Sequence, residues 1–317
     1  MKSRMSASSS VVFWSSDASR KRQTLLLTAV LWSVAGMCAL AQDEGGPRRP
    51  DHMVPTKPFH IIGNIYYVGQ IDNSTPFSDD TSYLIATSAG HIMLDTGLEQ
   101  TVHQNLENIK QLGFRVEDIK ILIHSHSHSD HVGGDSVLKQ TVPGLKILAM
   151  EGDADVIETG GKTEFDPQRK RFTPVQVDRI IKDGEQVRLG EAALVAHLTP
   201  GHTKGCTTWT MSVEDGGRKY NTIFLCSAMY HPGVKLVNER YPNMVKDFFK
   251  TFSILRSMNP DVFLASHGLF FGLVDKAKRL EAGATPNPFI DPQGFKAHID
   301  ECEKVLRAEM TRQGVTL

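Results

Sequence analysis

The chain carries almost no net charge, with 35 Lys and Arg against 36 Asp and Glu in 317 residues. It also lacks low-complexity tracts and internal repeats, which argues against a disordered chain. The 40% hydrophobic and 22% charged content is that of a core-forming globular protein. Charge-free stretches are short with one exception, residues 24–41, "TLLLTAVLWSVAGMCALA". Arg20, Lys21 and Arg22 precede this run and Ala39-Leu40-Ala41 ends it, so it reads as a secretory signal cleaved before Gln42. An uncleaved anchor is the alternative, because the run approaches the roughly 20 residues that span a bilayer. Residues 1–41 are thus expected to be a signal peptide and residues 42–317 one domain exported to the periplasm. Cleavage leaves 30 basic against 35 acidic residues, a mild acidity that argues against nucleic acid or an anionic membrane as partner. Nothing in the sequence marks an oligomeric state.

Cysteine is scarce too. Of four in the chain, Cys206, Cys226 and Cys302 lie beyond the cleavage point. An odd number leaves one unpaired or paired between chains. Cys206 and Cys226 fall in candidate strands of one hairpin and are the expected bridge, with three buried free thiols as the alternative.

Beyond residue 58, β-branched and aromatic runs bounded by glycine, "HIIGNIYYVGQ", "SYLIATSAG" and "HIMLDTG", predict strands. Val102, Leu106, Ile109 and Leu112 then share one face of a helix closed by Gly113. The apolar strand "IKILI" runs directly into "HSHSHSDHVGG". The second half repeats this grammar: strand "KILAM", a helix over 151–159, strands near "DRIIKDGEQVRL" and "ALVAHLTP", a hairpin turning at "EDGG", a helix over 244–258, strand "DVFLAS" and a helix over 292–312. Two sheet-and-helix halves without a linker predict an α/β, layered α+β, sandwich with helices outside.

Four of the chain's 13 histidines stand within eight positions, 124–131. Zinc in a hydrolytic site takes nitrogen and oxygen ligands and keeps a position open for water, so closely spaced His and Asp mark it. In an extended loop His126 and His128 point the same way and can share a metal, while Asp130 and His131 can reach a second. Alternation alone would equally admit His124, His126 and His128 as a trio. Asp130-His131 sets the frame, and His124 becomes the last residue of the strand, packed or hydrogen-bonded rather than ligating.

The segment H-x-H-x-D-H resembles the signature of the metallo-β-lactamase superfamily. "LDTG" at 94–97, "TPGHTKGCTTW" at 199–209 and "ASHG" at 265–268 follow in that family's order, and the T-x-W after His202 is similar to the third subclass of class B β-lactamases. The resemblance implies an αββα sandwich with two Zn2+ per chain, one held by His126, His128 and His202, the other by Asp130, His131 and His267. It implies hydrolysis of the β-lactam amide by a zinc-activated hydroxide that Asp130 orients, with Asp95 as the carboxylate that orients a ligating imidazole.

The chain departs from the pattern in places. Many hydrolases of the superfamily carry a bridging aspartate where Ser227 stands, and relatives in the third subclass place serines for the substrate carboxylate where Ala228 and Met229 stand. Ser227 and Tyr230 remain the expected substrate contacts in this stretch, and His231 is near enough to line a groove. A second disulfide of those relatives has no cysteines here, which leaves Cys302 free. Ser136-Val137-Leu138-Lys139 matches the S-x-x-K of serine lactamases, but S-D-N and K-T-G are absent. Another exported dizinc hydrolase, such as a lactonase, and a zinc-binding relative without activity are the alternatives.

Overall fold

In a computed structural model the described residues are 53–54, 56–72 and 81–316, so the predicted signal peptide lies outside them. All of them fall in one compact unit, Asp43–Leu317. Two-residue strands β1 (Met53–Val54) and β4 (Ile71–Asp72) pair with each other at the start of the chain.

A seven-stranded sheet contains β2 (Phe59–Ile62), β3 (Ile65–Tyr67), β5 (Tyr83–Thr87), β6 (Gly90–Leu94), β7 (Ile119–Ile123), β8 (Lys146–Met150) and β9 (Arg179–Ile181), in that spatial order. The strands from β6 onward run parallel. Successive residues of a strand face opposite sides of a sheet. Accordingly Tyr83, Ile85, Ile92, Leu94 and Ile123 enter the central core, and Leu84, Met93 and Leu122 enter an outer layer. That layer is closed by α1 (Val102–Gln111) through Val102, Leu106 and Ile109, the face that the 3.6-residue period predicts, and by Leu138 of α3 (Asp135–Thr141). Between β7 and α3 lies one turn of helix, α2 (Ser129–Val132). After β8 comes α4 (Ala154–Glu158).

The second sheet has five strands in sequence order: β10 (Gln186–Leu189), β11 (Ala192–Leu198), β12 (Thr207–Asp215), β13 (Arg218–Leu225) and β14 (Val262–Ala265). The hairpin is tighter than the sequence pattern suggested. Its strands run on to Asp215 and Arg218, and only Gly216 and Gly217 turn, with φ of 57° and 76°. Both positions of such a turn need positive φ, which glycine adopts without a Cβ penalty. Helices α5 (Met244–Ser257) and α8 (Pro292–Gln313) pack on this side, with Phe248, Phe252, Phe295 and Ile299 in the core. Two short helices, α6 (Gly268–Phe271) and α7 (Leu273–Glu281), have no counterpart among the sequence-based expectations. The layers are therefore helix, sheet, sheet, helix, as the sequence predicts.

Trp209 is fully buried between the layers and its indole Nε1 donates to the carbonyl of His124 at 2.9 Å. The amide of Thr207 donates to the carbonyl of Ser125 at 2.7 Å. These two bonds tie the start of β12 to the end of β7, so the two sheets are fixed where the histidine loops emerge. The bridge between Cys206 and Cys226 adds a covalent tie within the second sheet, and Cys302 is free and buried. With its sulfur in that bridge, Cys226 is no metal ligand.

Candidate metal centre

Loops following β6, β7, β11 and β14 meet, as expected of a site at the carboxyl ends of strands. Ligand atoms of His126, His128 and His202 all lie within 4.8 Å of one another, and so do those of Asp130, His131 and His267. Residues up to 141 positions apart in sequence thus form two adjacent donor sets. The rings of His126 and His131 are 4.1 Å apart, which joins the sets.

The first set is three neutral imidazoles. Burial, followed by neighbouring imidazoles, holds His126 well below the usual histidine range, while burial followed by Arg169 does the same for His128 and His202. Neutral imidazole is the form a metal ligand requires. Nε2 of His126 and Nε2 of His128 are buried with no hydrogen-bond partner among the described residues. Leaving such atoms unsatisfied is costly, and a cation between them removes the cost. Nδ1 of His202 lies 3.0 Å from the carbonyl of Met229 and donates to it, which leaves Nε2 as its ligand atom. Gly201 before it has φ of 132°, and a Cβ there would stand 2.7 Å from the Phe248 ring, so the loop bearing His202 can be seated only on glycine.

In the second set, Nε2 of His131 lies 3.3 Å from Nε2 of His267 and 3.4 Å from Oδ2 of Asp130. Two ring nitrogens and a carboxylate converging so closely suit a cation. Burial alone would lower His131, but the carboxylates of Asp130 and Asp95 hold it up to about 10, so a proton occupies this anionic pocket when no metal does. Asp95 supports the set from behind: its Oδ2 accepts from Nδ1 of His131 at 3.0 Å, and its two oxygens accept from the amide and hydroxyl of Ser125 at 2.7 and 2.6 Å. It does so from φ of 60°, the only non-glycine positive φ among the described residues. Backbone strain of about 1–3 kcal/mol at such a residue persists only where surrounding contacts determine it.

His124 stands apart. Its Nε2 pairs with Oδ2 of Asp135 at 2.9 Å, both side chains buried, and the two ligand groups do not include it. Asp135 and Asp95 outweigh the effect of burial and raise its protonation range, which suits a charged partner of Asp135.

The substrate contacts expected in the stretch after β13 need correction. Ser227 is buried and its hydroxyl accepts from the amide of Met229 at 3.3 Å. Tyr230 is 3% exposed, and its hydroxyl is taken up by the carbonyl of Val234, by Glu309 at 3.1 Å and by Gln313 at 3.2 Å. Both side chains are committed to packing, and what this stretch contributes to the site is the carbonyl of Met229. Burial, then Arg169, lowers His231 to about 4, and its Nδ1 is buried without a partner among the described residues.

Two residues escape a reading of spacing. Asp153, at the entrance to α4, accepts from the amide of Ser127 at 2.9 Å, the hydroxyl of Thr203 at 2.8 Å and the amide of Gly205 at 2.8 Å. It ties the loop of His126 and His128 to that of His202. Arg169, in the loop between α4 and β9, bears electrostatically on His128, His202, His231 and Asp130. Neither belongs to a motif, and a lone acid or base in a polar loop gives no periodic signal.

Two buried donor sets at one edge of an αββα sandwich define a metal-binding protein. The sequence pattern of the metallo-beta-lactamase superfamily matches residues 77–213. FEZ-1 metallo-beta-lactamase from Legionella gormanii is 41% identical, with a TM-score of 0.78 over 83% of this chain and 99% of that one. LRA-12, a class B3 di-zinc metallo-beta-lactamase from an Alaskan soil metagenome, is 32% identical, with a TM-score of 0.74 over 80% of this chain and 94% of that one. Among curated proteins, the human persulfide dioxygenase ETHE1 is 28% identical over 139 residues, 43% of this chain and 45% of its own length. The chain thus spans less than half the length of that curated relative. It belongs to the metallo-β-lactamase superfamily, and its structural neighbours include subclass B3 enzymes.

Proposed function

We propose that the chain is a dizinc β-lactamase, exported through a cleaved signal peptide over residues 1–41 to the periplasm, where residues 42–317 act as one domain on small-molecule β-lactams. The observation that carries this reading is the pair of donor sets, one of three neutral imidazoles and one of two imidazoles and a carboxylate, in a chain of which 83% matches 99% of FEZ-1. Neither set is a closed tetrahedral cage of four side chains. A three-ligand site that leaves a coordination position open is the form of a catalytic zinc rather than a structural one.

His126, His128 and His202 would hold the first ion and Asp130, His131 and His267 the second. Zinc bound there supplies Lewis-acid polarisation and a water acidified to a pKa near 7. The protein's own part is orientation and proton handling. Asp95 fixes the tautomer and plane of His131 by accepting a hydrogen bond from its Nδ1. The carbonyl of Met229 does the same for His202. Asp130, whose side chain is 19% exposed against 0% for His131, would be the carboxylate that holds a proton during hydrolysis and delivers it to the leaving amide nitrogen. No helix among the described residues is long and apolar enough to cross a membrane.

Hydrolysis of a chromogenic cephalosporin by the purified 42–317 protein, abolished by a chelator and restored by zinc, is the expected result. Two bound zinc equivalents without turnover of any β-lactam would sink the proposal, and hydrolysis of lactones in their place would favour the lactonase alternative.

A further inference from the structure

The stretch after β13 turns Ser227 and Tyr230 inward, so the site needs another group to meet the carboxylate that β-lactam nuclei carry. Arg169 is held where it can serve. Asp166 opens a turn in which its carbonyl accepts from the amide of Arg169 at 3.2 Å and its Oδ1 accepts from the amide of Gln168 at 3.1 Å. The same loop is pinned by Phe165, buried edge-on against Tyr241 with ring centres 5.1 Å apart. Tyr241 in turn donates to the carbonyl of Thr203, beside His202.

The guanidinium is underused in this setting. Its Nε lies 3.5 Å from Oδ2 of Asp166, and both Nε and Nη2 are buried with no hydrogen-bond partner among the described residues. A guanidinium presents five donors in a fixed fork that matches a carboxylate, and leaving them unsatisfied out of water is costly. The packing of Phe165 on Tyr241, and of Tyr241 on the carbonyl beside His202, seats this loop next to the first donor set, and the charge of Arg169 acts on Asp130 as well as on Asp166. His231, whose Nδ1 is buried without a partner among the described residues, feels the same charge.

We propose that Arg169 anchors the substrate carboxylate, presented from the loop between α4 and β9 in place of the segment after β13. The proposal rests on the β-lactamase reading and names the group that orients the substrate in it. Arg169 is a binding residue whose charge also bears on His128 and His202, so the anchor is read from the difference between substrates with and without the carboxylate.

The test compares benzylpenicillin with its methyl ester on zinc-loaded wild type, R169A and R169K, and measures the Kd of benzylpenicilloate by calorimetry. R169A is expected to raise KM for the acid by about 10- to 100-fold, the loss of a charge-assisted bidentate pair. The Kd of the penicilloate should rise in step, and KM for the ester should change at least fivefold less than KM for the acid, roughly the part of the loss that belongs to the carboxylate. R169K, which keeps charge but not the fork, should recover part of the loss and remains informative if R169A fails to fold. Equal shifts for acid and ester, or an unmoved penicilloate Kd, would overturn the anchor. A wild type that turns over no β-lactam sinks the lactamase reading itself, a failure separate from turnover in which acid and ester shift alike.

Discussion

Oδ2 of Asp153 lies 2.9 Å from the amide of Ser127, the residue between the two histidines of the first donor set. The same oxygen receives the hydroxyl of Thr203 and its neighbour receives the amide of Gly205, so one buried carboxylate joins the two loops directly, beyond the bonds that Trp209 and Thr207 make at their bases. A Cβ at Gly205 would stand 2.7 Å from Cγ of Asp153, a measure of how closely the loop is drawn in. Asp153→Ala should therefore weaken zinc at His126, His128 and His202 by about 10- to 100-fold, the usual effect of removing a residue that orients ligands. Competition with a zinc-chelating dye would register this as one weakened equivalent of two. Two equivalents of unchanged affinity would count against the clamp.

His124 and His128 should separate stability from metal binding. His124 neutralises Asp135, whose side chain is fully buried, and breaking such a pair from one side leaves an uncompensated charge. His124→Ala should cost about 3–5 kcal/mol of stability in denaturant titration while two zincs still bind. His128→Ala should lose zinc and activity with little effect on the metal-free melt. Removing Asp135 together with His124 should restore much of the loss, since no orphan charge remains.

What was legible in the sequence follows from how each feature is constrained. Two metals close together demand donors at short spacing, so His126, His128, Asp130 and His131 stand out, and the arrangement places them beside the distant His202 and His267. The cysteine pair was legible because hairpin strands have a fixed register, with Trp209 opposite Phe224 just inside the bridge. Tyr230 was misread because its partners, Glu309 and Gln313, sit 79 and 83 residues away on α8, beyond any local pattern. Asp153 and Arg169 act on residues distant in sequence from loop positions, where neither period nor spacing constrains residue type. The short helices α6 and α7 were missed because the stretch after His267 follows the expected ligand directly, without the length or caps that announce a helix.

The disulfide should matter to stability more than to the site. Cys206 and Cys226 are 20 residues apart and wholly buried, so the bond constrains the unfolded chain by a loop worth about 3 kcal/mol. Replacing both by alanine should lower the unfolding free energy in denaturant titration by about 3 kcal/mol and leave two zincs bound, because the loops bearing the donors are also held by Asp153 and Trp209. Loss of both zincs in the double variant would show that the bridge, and not those hydrogen bonds, holds the site.

His298 predicts how stability changes with acidity. Its ring stacks on Phe270 with centroids 4.7 Å apart, and burial pushes it down to about 4 from the ordinary 6.5. Between those values the unfolded chain binds a proton that the folded one refuses, so stability is fully present above about pH 6.5 and falls as pH drops toward 4. A shift of this size corresponds to at most about 3 kcal/mol. Whatever other groups titrate in this window contribute alike to wild type and variant. His298→Leu keeps an apolar body against Phe270 and removes the titration. Its denaturation midpoint should therefore lose less between pH 7 and pH 4.5 than that of the wild type, and equal losses would mean that the half-buried imidazole takes up its proton as readily folded as unfolded.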